Sequence, residues 1–264
     1  MSALPEPQLR RALIRYSGAM HSAGWVANHD GNLSARAHSG RLLCTATGKS
    51  KADIGPDELL AVDDEGRRIA GRARPFSELK LHLAVYRARP EVSAVVHAHP
   101  PFATAFGAAG ATIPHPFLPE AVVSLGAAIP TVPLSAPGAP AVEALAPYIL
   151  GCDALLIAGN GVLAWGPSLE LAFLRLELVE HLAQIAHHAL PLGGVKELPP
   201  ALTEALLEKR RSAGLATPAE RGASPSADPT LEAATARVLA RAPGASRDQV
   251  RRLAAASLSA HRSS

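Results

Sequence analysis

Cysteine is scarce: Cys44 and Cys152 are the only two in 264 residues. At most one bridge could form, and the spacing is not that of a thiolate metal site. A disulfide scaffold is therefore excluded, and reduced thiols in the cytoplasm are the expectation. Aromatic residues make up only 4% of the chain, too few for a surface that stacks bases. An excess of charge of one sign is missing from the first 200 residues as well. Residues 1–200 hold 16 basic and 17 acidic side chains, whereas residues 201–264 hold 10 and 6, so the net charge of +3 belongs to the C-terminal part. A neutral body without a basic face excludes nucleic acid as the expected partner. The stretch Val92–Pro119 lacks Asp, Glu, Lys and Arg, but His97, His99, His115 and several prolines interrupt it, so no membrane span is expected. Ser2, Glu6, Arg10 and Arg11 leave no apolar core for a signal peptide.

What is present is a globular composition, 48% hydrophobic and 19% charged, on a chain long enough for one large domain or two modest ones. Leu9, Leu13 and Tyr16 predict a helix over residues 5–23, and Leu79, Leu83 and Tyr86 one over 77–89, stopped by Pro90. Residues 28–36 and 42–45 read as a hairpin. Short strands follow at 94–99, 129–134, 154–157 and 161–165, with a helix near 139–150. The longest helix is expected over 168–190, with Leu171, Leu174, Leu178, Leu182 and Ile185 turned inward. Alternating strands and helices indicate an α/β domain over residues 1–200. A linker over 201–227, with Thr217–Pro229 rich in Pro, Ser, Ala and Gly, leads to a small helical tail over 228–264. The two tail helices bury little alone, so docking on another protein is one expectation for them.

His97 and His99 stand two apart in a strand, which projects both imidazoles from one face and supplies the first two ligands of a divalent metal. A hydrogen-bonded histidine pair is the ordinary alternative. Glu78 opens the helix that begins near Ser77, where a carboxylate can equally be a helix-capping residue. Gly31-Asn32 and Thr47-Gly48 form turns whose backbone N–H groups suit an anion, although such turns need no ligand. Lys49 and Lys51 are expected on the solvated surface.

Gly31-Asn32-Leu33-Ser34, Thr47-Gly48, Pro75-Phe76-Ser77-Glu78 with His82, His97-Ala98-His99-Pro100 and Gly159-Asn160-Gly161-Val162 occur in that order. The set resembles the class II aldolase/adducin family across residues 8–190. The resemblance implies a three-layer α/β/α domain with a mostly antiparallel central sheet, and a homotetramer. It implies a divalent metal, zinc before Mn²⁺ or Mg²⁺, held by His97, His99 and a third residue at the position of Asn160. Glu78 is then the base beside the carbonyl, and Asn32, Thr47, Gly48 and Ser77 bind the phosphate of a sugar phosphate. The implied reaction is retro-aldol cleavage of a ketose or ketose phosphate through a metal-bound enediolate, which a Lewis acid next to a carboxylate can support.

The chain departs from the family pattern in three places. Asn160 replaces the third metal histidine, and its amide oxygen is a harder, weaker donor than imidazole. Phe76 replaces the first residue of a serine pair, removing one phosphate hydroxyl, and residues 115–125 contain no tyrosine to serve as acid. His29 and His115 are candidate replacements for the missing ligand. Two further readings follow. One is an epimerase, decarboxylase or dehydratase of the same family; the other is a non-catalytic adducin-like assembly module. The tail also resembles the extensions that recruit enzymes to bacterial microcompartments.

Overall fold

Pro5 starts α1 (Glu6–Ser22), which buries Leu9, Leu13, Tyr16 and Met20 in the expected register. The computed structural model describes residues 4–222, so the expected helical tail lies outside the described residues. After α1 come β1 (Asn32–Arg36), β2 (Leu42–Thr45), β3 (Leu59–Val62) and β4 (Arg68–Ala70). Next are α2 (Leu79–Ala88), β5 (Ala94–Ala98), α3 (Pro101–Ala108), α4 (Pro119–Leu125) and β6 (Thr131–Val132). The chain continues through α5 (Ala139–Leu145), β7 (Ala154–Ile157), β8 (Gly161–Gly166), α6 (Leu169–Ala189) and α7 (Pro200–Ser212). The strands form one eight-stranded sheet in the order β4-β3-β2-β1-β5-β8-β7-β6. Every neighbouring pair is antiparallel except the edge pair β6 and β7.

Strand alternation divides the apolar residues between two cores. Leu33, Ala35, Val96, Leu156 and Ala164 pack on one face with Leu13 of α1 and Leu176 and Val179 of α6. Leu42, Val95, Leu155, Leu163 and Trp165 pack on the other with Leu83 and Tyr86 of α2 and Leu145 of α5. The result is three layers, helices on both sides of a mostly antiparallel sheet, as the resemblance implied.

Two sequence expectations are corrected. In α6 the buried residues are Leu169, Ala172, Phe173, Leu176, Val179, Leu182 and Ala183, while Leu174 is 45% exposed. The inward face was disguised because it carries two buried charged residues. Arg175 donates to the Trp165 carbonyl at 2.7 Å, and Glu180 accepts the backbone N–H groups of Phe102 and Ala103 at the start of α3. The segment 201–227, read as linker from its composition, contains most of α7, which packs on α4. Its Arg210 is buried, with Nη2 bonded to Asp153 at 2.8 Å. Both cysteines are buried free thiols, and burial pushes the Cys44 pKa up to about 12. Among the described residues no helix is long and apolar enough to cross a membrane.

Candidate active site

The candidate side chains converge where β1, β5 and β8 meet the start of α2. Asn32 of β1 lies directly opposite His97 of β5, so alternation puts both side chains on the α2 side of the sheet. His97 Nδ1–H donates to the Val162 carbonyl of β8 at 2.9 Å, which turns Nε2 toward His99 and Glu78. His99 follows the strand with its Nε2 3.1 Å from His97 Nε2, and its Nδ1 faces Asp30 Oδ2 at 3.6 Å. Burial lowers the His97 pKa, against the pull of the nearby Glu78 carboxylate.

Two glycines permit this approach. Gly161 has φ +79°, and a Cβ there would strike the Ala98 carbonyl and come within 2.8 Å of the His99 ring. A Cβ on Gly31, at φ +70°, would sit 3.0 Å from the His97 carbonyl. The loop carrying Asp30 is pinned from below by Lys51. That lysine is not on the solvated surface as expected, but buried, with Nζ donating to the carbonyls of Lys49 at 2.9 Å and His29 at 3.4 Å.

Glu78 immediately precedes α2, yet its side chain makes no cap there. Instead Asn160 Nδ2 donates to Oε1 at 2.6 Å and Asn32 Nδ2 donates to Oε2 at 2.8 Å, while His97 Nε2 lies 3.3 Å from Oε2. Burial alone would raise the Glu78 pKa. The neighbouring His97 and the two amide donors outweigh it and hold the carboxyl down to about 2. Behind Glu78, His82 bonds Ser34 Oγ at 2.7 Å, and Phe76 packs edge-on against the His82 ring at 5.0 Å. Phe76 thus covers a buried polar network where the family pattern has a serine.

The structure therefore brings Glu78, Asn32, His97, His99 and Asn160 together. Ser77 is exposed beside Glu78 on the wall of the adjoining cavity. Thr47 and Gly48 are exposed, in a turn whose Thr47 N–H is committed to the Arg74 carbonyl at 3.0 Å. His29 and His115 do not complete a ligand set. His29 is exposed, and His115 Nε2–H donates to the Gly126 carbonyl at 2.7 Å.

The donor set can be tested against a divalent ion. Two imidazoles bound to one tetrahedral ion at about 2.0–2.1 Å hold their nitrogens about 3.3 Å apart. The observed 3.1 Å fits, and the Val162 carbonyl and Asp30 carboxylate stand where partners of metal-bound histidines stand. Among the described residues no cluster of three or more His, Cys, Asp or Glu side chains is placed to hold an ion. Asn160 has its Nδ2 committed to Glu78 and its Oδ1 left over.

Residues 11–187 match the family described as Class II Aldolase and Adducin N-terminal domain. The chain is 32% identical over 185 residues to the 3-oxo-tetronate 4-phosphate decarboxylase of Escherichia coli K12, covering 68% of this chain and 86% of that protein. It is 32% identical over 213 residues to the 5-methylthioribulose-1-phosphate/5-deoxyribulose-1-phosphate aldolase of Escherichia coli O45:K1, covering 79% and 97%. Among solved structures, an L-fuculose 1-phosphate aldolase superposes with a TM-score of 0.71 at 25% identity, over 77% of this chain and 96% of that one. The chain belongs to the class II aldolase/adducin family.

Proposed function

We propose that this protein is a divalent-metal-dependent aldehyde-lyase that cleaves a ketose or ketose phosphate into a three-carbon ketone and an aldehyde. The observation that carries the reading is the carboxylate of Glu78, ionised, clamped by two amides and 3.3 Å from one of two converging imidazoles. His97 and His99, with Asn160 Oδ1 as third donor, would hold an ion that polarises the substrate carbonyl. The harder amide oxygen favours Mn²⁺ or Mg²⁺ more than three imidazoles would.

In condensation, Glu78 takes the proton from the carbon beside the carbonyl. In cleavage, the hydroxyl on the carbon that becomes the aldehyde gives its proton to the Glu78 carboxylate as the bond between the two carbons breaks, and Glu78 passes that proton to the carbon beside the carbonyl. Asn32 and Asn160 keep the carboxylate aimed, since each donates to a different oxygen. Asn32 Oδ1 is buried without a partner, an acceptor suited to a substrate hydroxyl.

Two measurements test this reading. The purified protein is expected to hold about one divalent ion per chain and to exchange the α-proton of dihydroxyacetone or its phosphate with D₂O. His97→Ala should remove both properties. A metal-free protein that is inert even after metal addition would favour the assembly-module reading. Separately, Asn160→His should increase the zinc retained through dialysis against a chelator; unchanged retention would place residue 160 outside the metal's reach.

A further inference from the structure

The two histidines are held in different ways. His97 lies within β5, is buried, and has its Nδ1–H fixed by a carbonyl of the neighbouring strand. His99 stands just beyond the end of β5, and its side chain is 30% exposed. The loop between α1 and β1 holds it instead. The His99 backbone N–H donates to the Trp25 carbonyl at 3.0 Å, and further along the same loop Asp30 sets Oδ2 3.6 Å from His99 Nδ1. Asp30 is itself kept in place on both sides. Its backbone N–H donates to the Ala27 carbonyl at 2.9 Å, closing a turn in which Asn28 adopts a left-handed φ of +50°, and the buried Lys51 bonds the adjacent His29 carbonyl.

A neutral imidazole carries one ring proton, and the nitrogen that holds it is set by the partner of that nitrogen. An ion needs the Nε2 lone pair of His99, so the proton must then sit on Nδ1, the atom that faces Asp30. Without an acceptor there, the other tautomer donates Nε2–H to His97 Nε2 at 3.1 Å, and that hydrogen bond occupies the two nitrogens an ion would take. Both side chains are partly exposed, so a small rotation brings the 3.6 Å separation within hydrogen-bond reach. We propose that Asp30 is a positioning residue that keeps the His99 proton on Nδ1 and so presents Nε2 to the metal, as the Val162 carbonyl does for His97. The inference rests on the metal site of the lyase reading above. The site has reason to depend on it: with an amide oxygen as third donor, more of the ion's affinity falls on the two imidazoles.

The test measures the Zn²⁺ affinity of the full-length protein by competition with a chromophoric chelator. Asp30→Ala should raise the dissociation constant about 10–100-fold, the usual effect of removing the partner of a metal-bound histidine. In a His99→Ala background the same substitution should change the constant less than about twofold, because its effect passes through the His99 ring. Unchanged affinity in Asp30→Ala overturns the assignment. A further loss of tenfold or more in the His99→Ala background overturns it too, since Asp30 would then act on the ion directly or through the shape of the loop. Exchange of the α-proton with D₂O is followed in parallel. Wild-type protein that binds zinc and responds to Asp30→Ala as stated, yet shows no exchange, overturns the lyase reading and leaves Asp30 with its role. Wild-type protein that binds no zinc overturns both.

Discussion

Asp153→Asn is expected to lower the unfolding free energy by about 3–5 kcal/mol, the usual cost of removing one partner from a buried ion cluster. Asp153 is buried at the foot of β7. It accepts from Arg89 Nη2 at 2.9 Å and Arg210 Nη2 at 2.8 Å, and pairs with Arg175 Nη2 at 2.9 Å. The three guanidiniums stay charged, because arginine does not give up its proton inside a protein. With Asp153 neutralised, they would face one another in a region that solvent does not screen. They also bind carbonyls: Arg89 those of Ile149 and Cys152, and Arg210 those of Val123 and Ser124. Loss of the charge therefore loosens α2, α4, α6 and α7 together. Burial would raise the Asp153 pKa, but the arginines overcome this and hold it below the ordinary value. A carboxylate with a depressed folded pKa contributes stability above its unfolded pKa, about 3.9, and loses that contribution as pH falls through the folded value. The gap between wild type and Asp153→Asn in urea melts should thus be full at neutral pH and shrink below about pH 4. Faster proteolysis near α7 should accompany it. Equal melts at neutral pH would show that the cluster contributes no net stability.

That cluster marks the limit of what the sequence could disclose. The site was legible because its signals are local: two histidines two apart, a glutamate at a helix start, and glycines in fixed order. The structure brings together Glu78, Asn32, His97, His99 and Asn160 from four separate stretches. Asp153 carries no such signal, since its partners lie 57 and 64 residues away, or across the sheet on α6. The same blindness hid α7. A segment joined to a stretch rich in Pro, Ser, Ala and Gly reads as linker until one arginine is seen to enter the core. In α6 the apolar pattern misled at Leu174, which is exposed, because alanines and the charged Arg175 and Glu180 share the buried face with other leucines. Short elements such as β4, largely exposed at the sheet edge, leave no hydrophobic periodicity to read. The role of Asp30 beside His99 and the carbonyl contact of His97 with Val162 depend on pairing across the sheet, which spacing along the chain does not encode.

Glu78→Gln should reduce α-proton exchange by about 10²–10⁴-fold, the range for removing a positioned general base, while leaving bound metal unchanged. The separation follows from the geometry. His97 is held by Val162 and His99 faces Asp30, so neither imidazole depends on Glu78 for its orientation. Glu78, by contrast, receives an amide N–H on each oxygen. Glutamine keeps the size of the side chain but offers one oxygen and one NH₂ group to two donors. One amide, Asn32 or Asn160, must turn away or lose its bond, and no acceptor for the substrate proton remains. If exchange persists at the wild-type rate, the base is another group. If metal and exchange vanish together, Glu78 is a ligand of the ion, and the carboxylate's two amide bonds serve to hold a metal donor rather than a base. The two readouts, metal content and proton exchange, therefore assign Glu78 to one role.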